Sequence, residues 1–204
     1  MPSWADAELR LPPPSPQIMV MATALPLFTV ADLEALPDDG NRYELLNGVI
    51  LVTPQAGLPH QVVATRLLGE LTIFLKPEAN VLVCGPGVLQ VPPSIHLEPD
   101  ILVGRWPVVP RWNAVDQHWL AGEVSGVSSR IYDRDYKRDA YLRLGVKEVW
   151  LVDLDLRRVL VSRLDGGKDV PYDSTVTWRS PGGRELPVDI PHLFRGLPVG
   201  YHGL

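Results

Sequence analysis

Between Gln61 and Lys76 the apolar residues Val63, Leu67, Leu71, Phe74 and Leu75 recur at helical steps, with Arg66, Glu70 and Lys76 between them. That period predicts an amphipathic helix, and Pro77 ends it. Upstream, Thr29 followed by Asp32 approximates a capping box and predicts a short helix closed by Pro37-Asp-Asp-Gly40. Tyr43-Glu-Leu-Leu and Val49-Ile-Leu-Val flank Asn47-Gly48, the strongest short hairpin signal. Strand-like runs follow at 81–84 and 88–91, separated by Gly85-Pro-Gly87, then at 100–103, entered through Glu98-Pro99, and at 119–124. Residues 132–144 read as a helix with Gly145 at its C-terminal end, and 149–152 with 158–162 as a second hairpin. The tail from Lys168 is rich in Gly and Pro and predicts short edge structure. Residues 1–26 carry six prolines and no sustained period, which predicts a loose extension, with Met19 and Met21 as alternative starts. Helices interleaved with strand pairs predict an α/β or α+β fold: one domain over 27–204, its motif-bearing core at about 43–165, with a mixed sheet flanked by helices.

Composition narrows the choice of class. The chain has 204 residues, 46% hydrophobic and 21% charged, which supports a packed core and excludes disordered, collagenous and coiled-coil chains. No apolar run reaches the roughly 20 residues of a membrane helix, and Asp6, Glu8 and Pro12 to Pro14 interrupt any signal-peptide pattern. The expected compartment is the cytoplasm, with no membrane partner. The lone Cys84 permits no internal disulfide and no cysteine-built zinc site, and in an apolar strand it reads as a buried, inert thiol. With 19 basic residues against 24 acidic, net −5, there is no global positive field, so a nucleic-acid role needs a local patch. One exists over 130–147, where Arg130, Arg134, Lys137, Arg138, Arg143 and Lys147 face only Asp133, Asp135 and Asp139. Gly85-Pro-Gly87 is not a dinucleotide loop, and no phosphate loop, serine elbow or spaced histidine pair occurs.

The remaining chemistry is acidic. Asp100 opens an apolar strand directly after Pro99, Glu123 interrupts another, and the chain between them is long enough to return for a neighbouring strand. Paired strands would bring the two carboxylates together. Buried like charges share a proton, raising a pKa, or hold a cation, and all-oxygen donors select Mg²⁺ or Mn²⁺. The plain alternative is a turn residue at 100 and a solvent-facing glutamate at 123. Positions 133, 137 and 141 share one helical face from which Lys137 projects; an ordinary Asp133–Lys137 surface pair explains the same spacing.

Taken in order, Glu98-Pro99-Asp100-Ile-Leu-Val, Gly122-Glu123-Val-Ser and Tyr132-Asp133-Arg-x-x-Lys137-x-x-x-Tyr141-x-x-x-Gly145-Val-x-Glu148-Val-Trp150-Leu-Val-Asp153 resemble the bacterial Uma-type restriction endonuclease family of the PD-(D/E)xK superfamily. Arg42-Tyr43-Glu44-Leu-Leu-Asn-Gly48 and His60-Gln61 extend the resemblance upstream. It implies a restriction-endonuclease-like core and metal-dependent hydrolysis of nucleic-acid phosphodiester bonds, DNA being the expected substrate. Asp100, Glu123 and Lys137 become the catalytic residues, with Asp100 and Glu123 on Mg²⁺ or Mn²⁺ and the Val124 carbonyl as a candidate further ligand. Glu44 is a candidate third acid, and Arg134 and Tyr141 are candidate phosphate contacts. The chain departs from the superfamily at Ser125, where a lysine usually stands two residues after the glutamate, and at Gly126-Val127-Ser128, where many relatives read Ser-Pro-Ser. The resemblance supplies the missing charge from the following helix, at Lys137. The competing expectation is a nuclease fold kept as a non-catalytic nucleic-acid or protein interaction module, and the Trp- and Pro-rich stretch 105–119 is a candidate homodimer interface.

Overall fold

Strands that are apolar on both faces have to be covered on both faces, and four such strands organise this molecule. The computed structural model describes residues 27–53, 56–126 and 133–198. The extension expected over 1–26, the first residue of the helix expected over 132–144, and Val127, Ser128 and Arg130 lie outside the described residues.

The chain runs through helix α1 (Val30–Glu34), strands β1 (Arg42–Leu46) and β2 (Val49–Thr53), helix α2 (Leu58–Leu75), and strands β3 (Val81–Cys84), β4 (Leu89–Val91), β5 (Ile95–Leu97) and β6 (Ile101–Arg105). After a 3₁₀ turn at Trp112–Ala114 come β7 (His118–Ser125), a π-helical turn (Asp133–Lys137) continuous with helix α3 (Arg138–Arg143), β8 (Glu148–Asp153), β9 (Arg158–Arg163), β10 (Val170–Tyr172), β11 (Thr175–Arg179), β12 (Glu185–Asp189) and α4 (Ile190–Leu193). The main sheet has the order β10-β9-β8-β7-β6-β3. Within it only β7 and β8 run parallel, joined by the crossover that contains α3.

Alternation divides the side chains of the main sheet between two cores. Ile101, Val103, Leu120, Val124, Trp150 and Val152 face α2, whose Val63, Leu67, Leu71 and Leu75 form its buried stripe. Ala121, Val149, Leu151 and Leu160 face the other way, against Tyr141 of α3 and Leu89 and Leu97 of β4 and β5. Glu123 has the parity of Ala121, so it belongs to this second face. The expected first hairpin forms, with both Asn47 (φ 52°) and Gly48 (φ 80°) in the left-handed region that a tight two-residue turn needs. Thr29 caps α1 in a complete capping box with Asp32.

One strand was missed and two expectations need correction. The run at 88–91 forms β4, which pairs with β5, a strand the sequence reading missed, in a separate sheet of order β2-β1-β5-β4. Pro92 and Pro93 and the three-residue length of both strands hid that pairing. The helix over 132–144 begins as a π turn, so its first residues are wound more widely than the α period assumes. The tail is more than edge structure. β10 is an edge strand, but Val176, Trp178, Val188 and Ile190 of the β11–β12 hairpin and α4 are buried in the same core as α2, and the alternation Thr175-Val-Thr-Trp-Arg accounts for it. In the loop between β6 and β7, Trp106 and Trp112 stand exposed, while Trp119 at the start of β7 packs against the core.

The Gly85–Gly87 turn lies against the entry to β6. The Gly87 amide donates to the Pro99 carbonyl at 2.9 Å, and a Cβ at Gly85 would collide with the Asp100 carbonyl oxygen. Gly85→Ala should therefore displace Asp100, lowering stability by about 1–3 kcal/mol as overpacking does. A urea midpoint equal to that of the parent chain would show that the turn can yield without moving the strand.

Candidate active site

Register places the carboxylates. β6 and β7 pair antiparallel with Ile101 opposite Gly122, so Asp100, one residue earlier, faces Glu123 across the pair and on the same face of the sheet. The Val124 amide donates to Asp100 Oδ2 at 2.8 Å, which fixes the aspartate against the glutamate strand. Both side chains are buried, which excludes the reading of a solvent-facing Glu123.

On β1, alternation aims Arg42 and Glu44 at this face while Leu45 packs with Val30 and Leu33 of α1. Both then grip the strand that leads to Asp100. Glu44 Oε1 accepts the Glu98 amide at 2.7 Å, and Arg42 Nη2 donates to the Glu98 carbonyl at 2.5 Å. Arg42 Nη1 donates to Asp100 Oδ1 at 3.1 Å. The first turn of α2 brings His60, whose Nε2 lies 2.9 Å from Asp100 Oδ2.

From the crossover, Lys137 enters a cavity where its side chain is only 2% exposed, with Nζ 2.6 Å from Glu44 Oε2 and 3.3 Å from Glu123 Oε1. Tyr141, one turn later, donates its hydroxyl to the same Glu123 oxygen at 2.5 Å. The expected face of Lys137 and Tyr141 is thus turned onto Glu123, and the reading of Lys137 as an ordinary surface ion pair is excluded by its burial. Arg134 and Arg138 form a second stripe with the same four-residue spacing, turned onto Asp169 just ahead of β10. Carboxylates from β1, from β7 and from the approach to β10 therefore hold the turn that carries Lys137.

The structure brings Asp100, Glu123, Glu44 and Lys137 to one face; Tyr141, expected as a phosphate contact, is fully buried with its hydroxyl on Glu123, and Arg134 goes to Asp169. Arg42 and His60 carry roles the sequence reading did not give them, although both stood within its motifs. Their pairings with Asp100 span 58 and 40 positions of chain, and the one signal in the sequence was their place within the Arg42-Tyr43-Glu44 and His60-Gln61 motifs.

The charges interact as a group. Burial opposes the charge on Arg42, but Asp100, Glu123 and Glu44 outweigh it and raise its pKa. Burial also pushes the Asp100 carboxyl up, yet His60, Arg42 and the Val124 amide pull harder and leave it below the ordinary value. For Asp100 the expected mutual raising of carboxylates is thus reversed, because two basic side chains were folded in with them. Cys84 takes no part, its thiol being pushed up to about 11 by burial.

Among the described residues no three His, Cys, Asp or Glu side chains form a finished metal cage. The donor set nevertheless fits a hard cation that keeps water and substrate oxygens in its shell and takes one or two carboxylates from the protein, as Mg²⁺ does. Asp100 and Glu123 supply such a pair. The formal charges of Glu44, Asp100 and Glu123 against Arg42 and Lys137 leave one net negative charge for the cation to meet. A cleft of about 470 Å³ opens beside Arg42; another, of about 370 Å³, lies near Asn80, Arg105 and Trp119 and holds none of these side chains.

Removing the ammonium should leave Glu44 and Glu123 as buried like charges. Lys137→Met is expected to cost about 3–5 kcal/mol in urea unfolding. Adding Glu44→Gln, which keeps an acceptor for the Glu98 amide, should recover part of that loss. A double variant less stable than the single would contradict the pairing of Lys137 with Glu44.

A comparison with curated protein sequences finds no match. Among solved structures, the chain is similar to the one reported as "Crystal structure of a putative nuclease belonging to DUF820 from Anabaena variabilis ATCC 29413", with 19% identity over 82% of this chain and 97% of that one and a TM-score of 0.67. That likeness identifies the architecture as a restriction-endonuclease-like mixed α+β fold. A family model described as "Putative restriction endonuclease" matches residues 30–193. The matched span holds every element that contributes to the carboxylate–lysine cluster, and the chain belongs to this family, Uma2.

Proposed function

We propose that the protein is a metal-dependent nuclease that hydrolyses nucleic-acid phosphodiester bonds, DNA first among them, at the cluster of Asp100, Glu123 and Lys137. The observation that carries this reading is the register of β6 and β7, which sets Asp100 and Glu123 on one face with the Lys137 ammonium against Glu123. Asp100 and Glu123 would hold Mg²⁺ or Mn²⁺, and such an ion supplies a lowered pKa for water and charge neutralisation at the phosphate. Lys137 places a fixed positive charge where negative charge grows on the phosphoryl oxygens, and it does so without solvent reorganisation because it is already desolvated. Tyr141 and Glu44 position the ammonium and Glu123 relative to each other. Arg42 holds Asp100 in place and stands between the carboxylates and the neighbouring cleft, where it can meet a substrate oxygen. Family membership supports a nucleic-acid substrate.

The engagement of Asp100 by Arg42 and His60 favours a second reading, a nuclease fold whose carboxylates hold the structure together and whose surface binds nucleic acid or protein. Cleavage of plasmid and oligonucleotides with Mg²⁺, with Mn²⁺ and with chelator separates the two. The nuclease reading expects cleavage that the chelator abolishes. It also expects turnover lowered about 10²–10³-fold in the stabilised Lys137→Met/Glu44→Gln chain relative to Glu44→Gln alone. Absence of cleavage under every metal condition, in protein that melts cooperatively, would leave the interaction module.

A further inference from the structure

The cleft beside Arg42 has a chemistry different from that of a phosphate site. Its volume of about 470 Å³ falls within the roughly 300–1,000 Å³ of small-molecule pockets. Leu36, Tyr43 and Pro86 give it apolar walls, and Asn41, Gln61 and His96 add hydrogen-bonding groups. His96 Nε2 lies 3.2 Å from Glu98 Oε1. The buried His96 Nδ1 meets no hydrogen-bond partner among the described residues, while Arg42 Nε has the Glu98 carboxylate 3.6 Å away, and a buried polar atom like His96 Nδ1 is costly unless a ligand or water serves it. Glu34, Asp38 and Glu98 also line the cleft, while its one arginine, Arg42, is already engaged by Asp100. That acidic wall repels a phosphodiester backbone. It does not repel a flat, neutral, hydrogen-bonding ring.

We infer that this cleft receives one unpaired nucleobase of the strand whose phosphate reaches Asp100 and Glu123, so that the substrate is single-stranded or locally unpaired nucleic acid. The inference rests on the nuclease reading for the position of the phosphate. Arg42 links the two places, lining the cleft and bonding Asp100. The Tyr43 ring offers the stacking surface, its hydroxyl tied to Asp39 at 2.7 Å, and stacking tolerates any base. A base held in a duplex is already stacked and paired and cannot enter without being extruded.

The test reads binding in chelator, separately from cleavage, by fluorescence anisotropy. Its probes are a short labelled single strand, the same strand annealed to its complement, and the same strand made abasic throughout. The intact single strand is expected to bind about tenfold more tightly than either of the others, a size within the contribution of stacking one base on an aromatic ring. Tyr43→Ala and Gln61→Ala should each bring the intact strand close to abasic affinity and leave abasic binding unchanged. Tyr43→Phe, which keeps the ring and loses the Asp39 bond, should bind like the parent, and melting curves identify any variant that has lost its fold. Equal affinity for intact and abasic strands, or wall variants that fold and bind normally, would overturn the inference. If the wild type cleaves duplex and abasic strands as well as intact single strands, the cleft proposal falls and the nuclease reading stands. If base-dependent binding appears with no cleavage under any metal condition, the nuclease reading falls and the cleft remains a base-binding site.

Discussion

A buried ammonium shared by two carboxylates is the constraint on which the rest of this structure depends. Lys137 is drawn from the crossover between β7 and β8, Glu123 from β7 and Glu44 from the first hairpin. No two of these belong to the same element, and removing the ammonium leaves two carboxylates facing each other without water. A one-residue slip of β1 against β5 would turn Leu45 out of its cluster with Val30 and Leu33. The same slip would turn Arg42 and Glu44 to the opposite face and withdraw them from Asp100, Glu98 and Lys137 together. Stability and placement of the site are therefore one arrangement: the contacts that dock the small sheet on the main sheet also aim the candidate catalytic groups.

Periodicity disclosed most of the architecture. α2, the two hairpins and the strands bearing Asp100 and Glu123 all follow from spacing that reports one local period at a time. The shortfalls occur where structure depends on distant partners. β5 is three residues long beside two prolines, and only its pairing with β1 and β4 makes it a strand. The hairpin of β11 and β12 alternates clearly, yet nothing local says that it will cover the same face as α2.

The site divides in the same way. Asp100 was legible at a strand entry, Glu123 as the charge that interrupts an apolar strand, Lys137 and Tyr141 on one helical stripe, and Glu44 because it falls in a recognisable motif. Arg42 and His60 were visible as letters without a role, since only the folded sheet brings them onto Asp100. The direction of the Asp100 pKa shift followed the same logic. Counting nearby acids predicts a rise, and the two bases delivered from β1 and α2 turn it into a fall.

Ser125 is buried on the same face as Glu123, two residues further along β7. Its side chain has no water to face, so a lysine introduced at 125 would carry a second ammonium onto the side of the sheet where Lys137 already lies against Glu123, and two like charges in a desolvated space are costly. The burial of Ser125 therefore limits that position to side chains that bring no positive charge of their own while Lys137 stays in place.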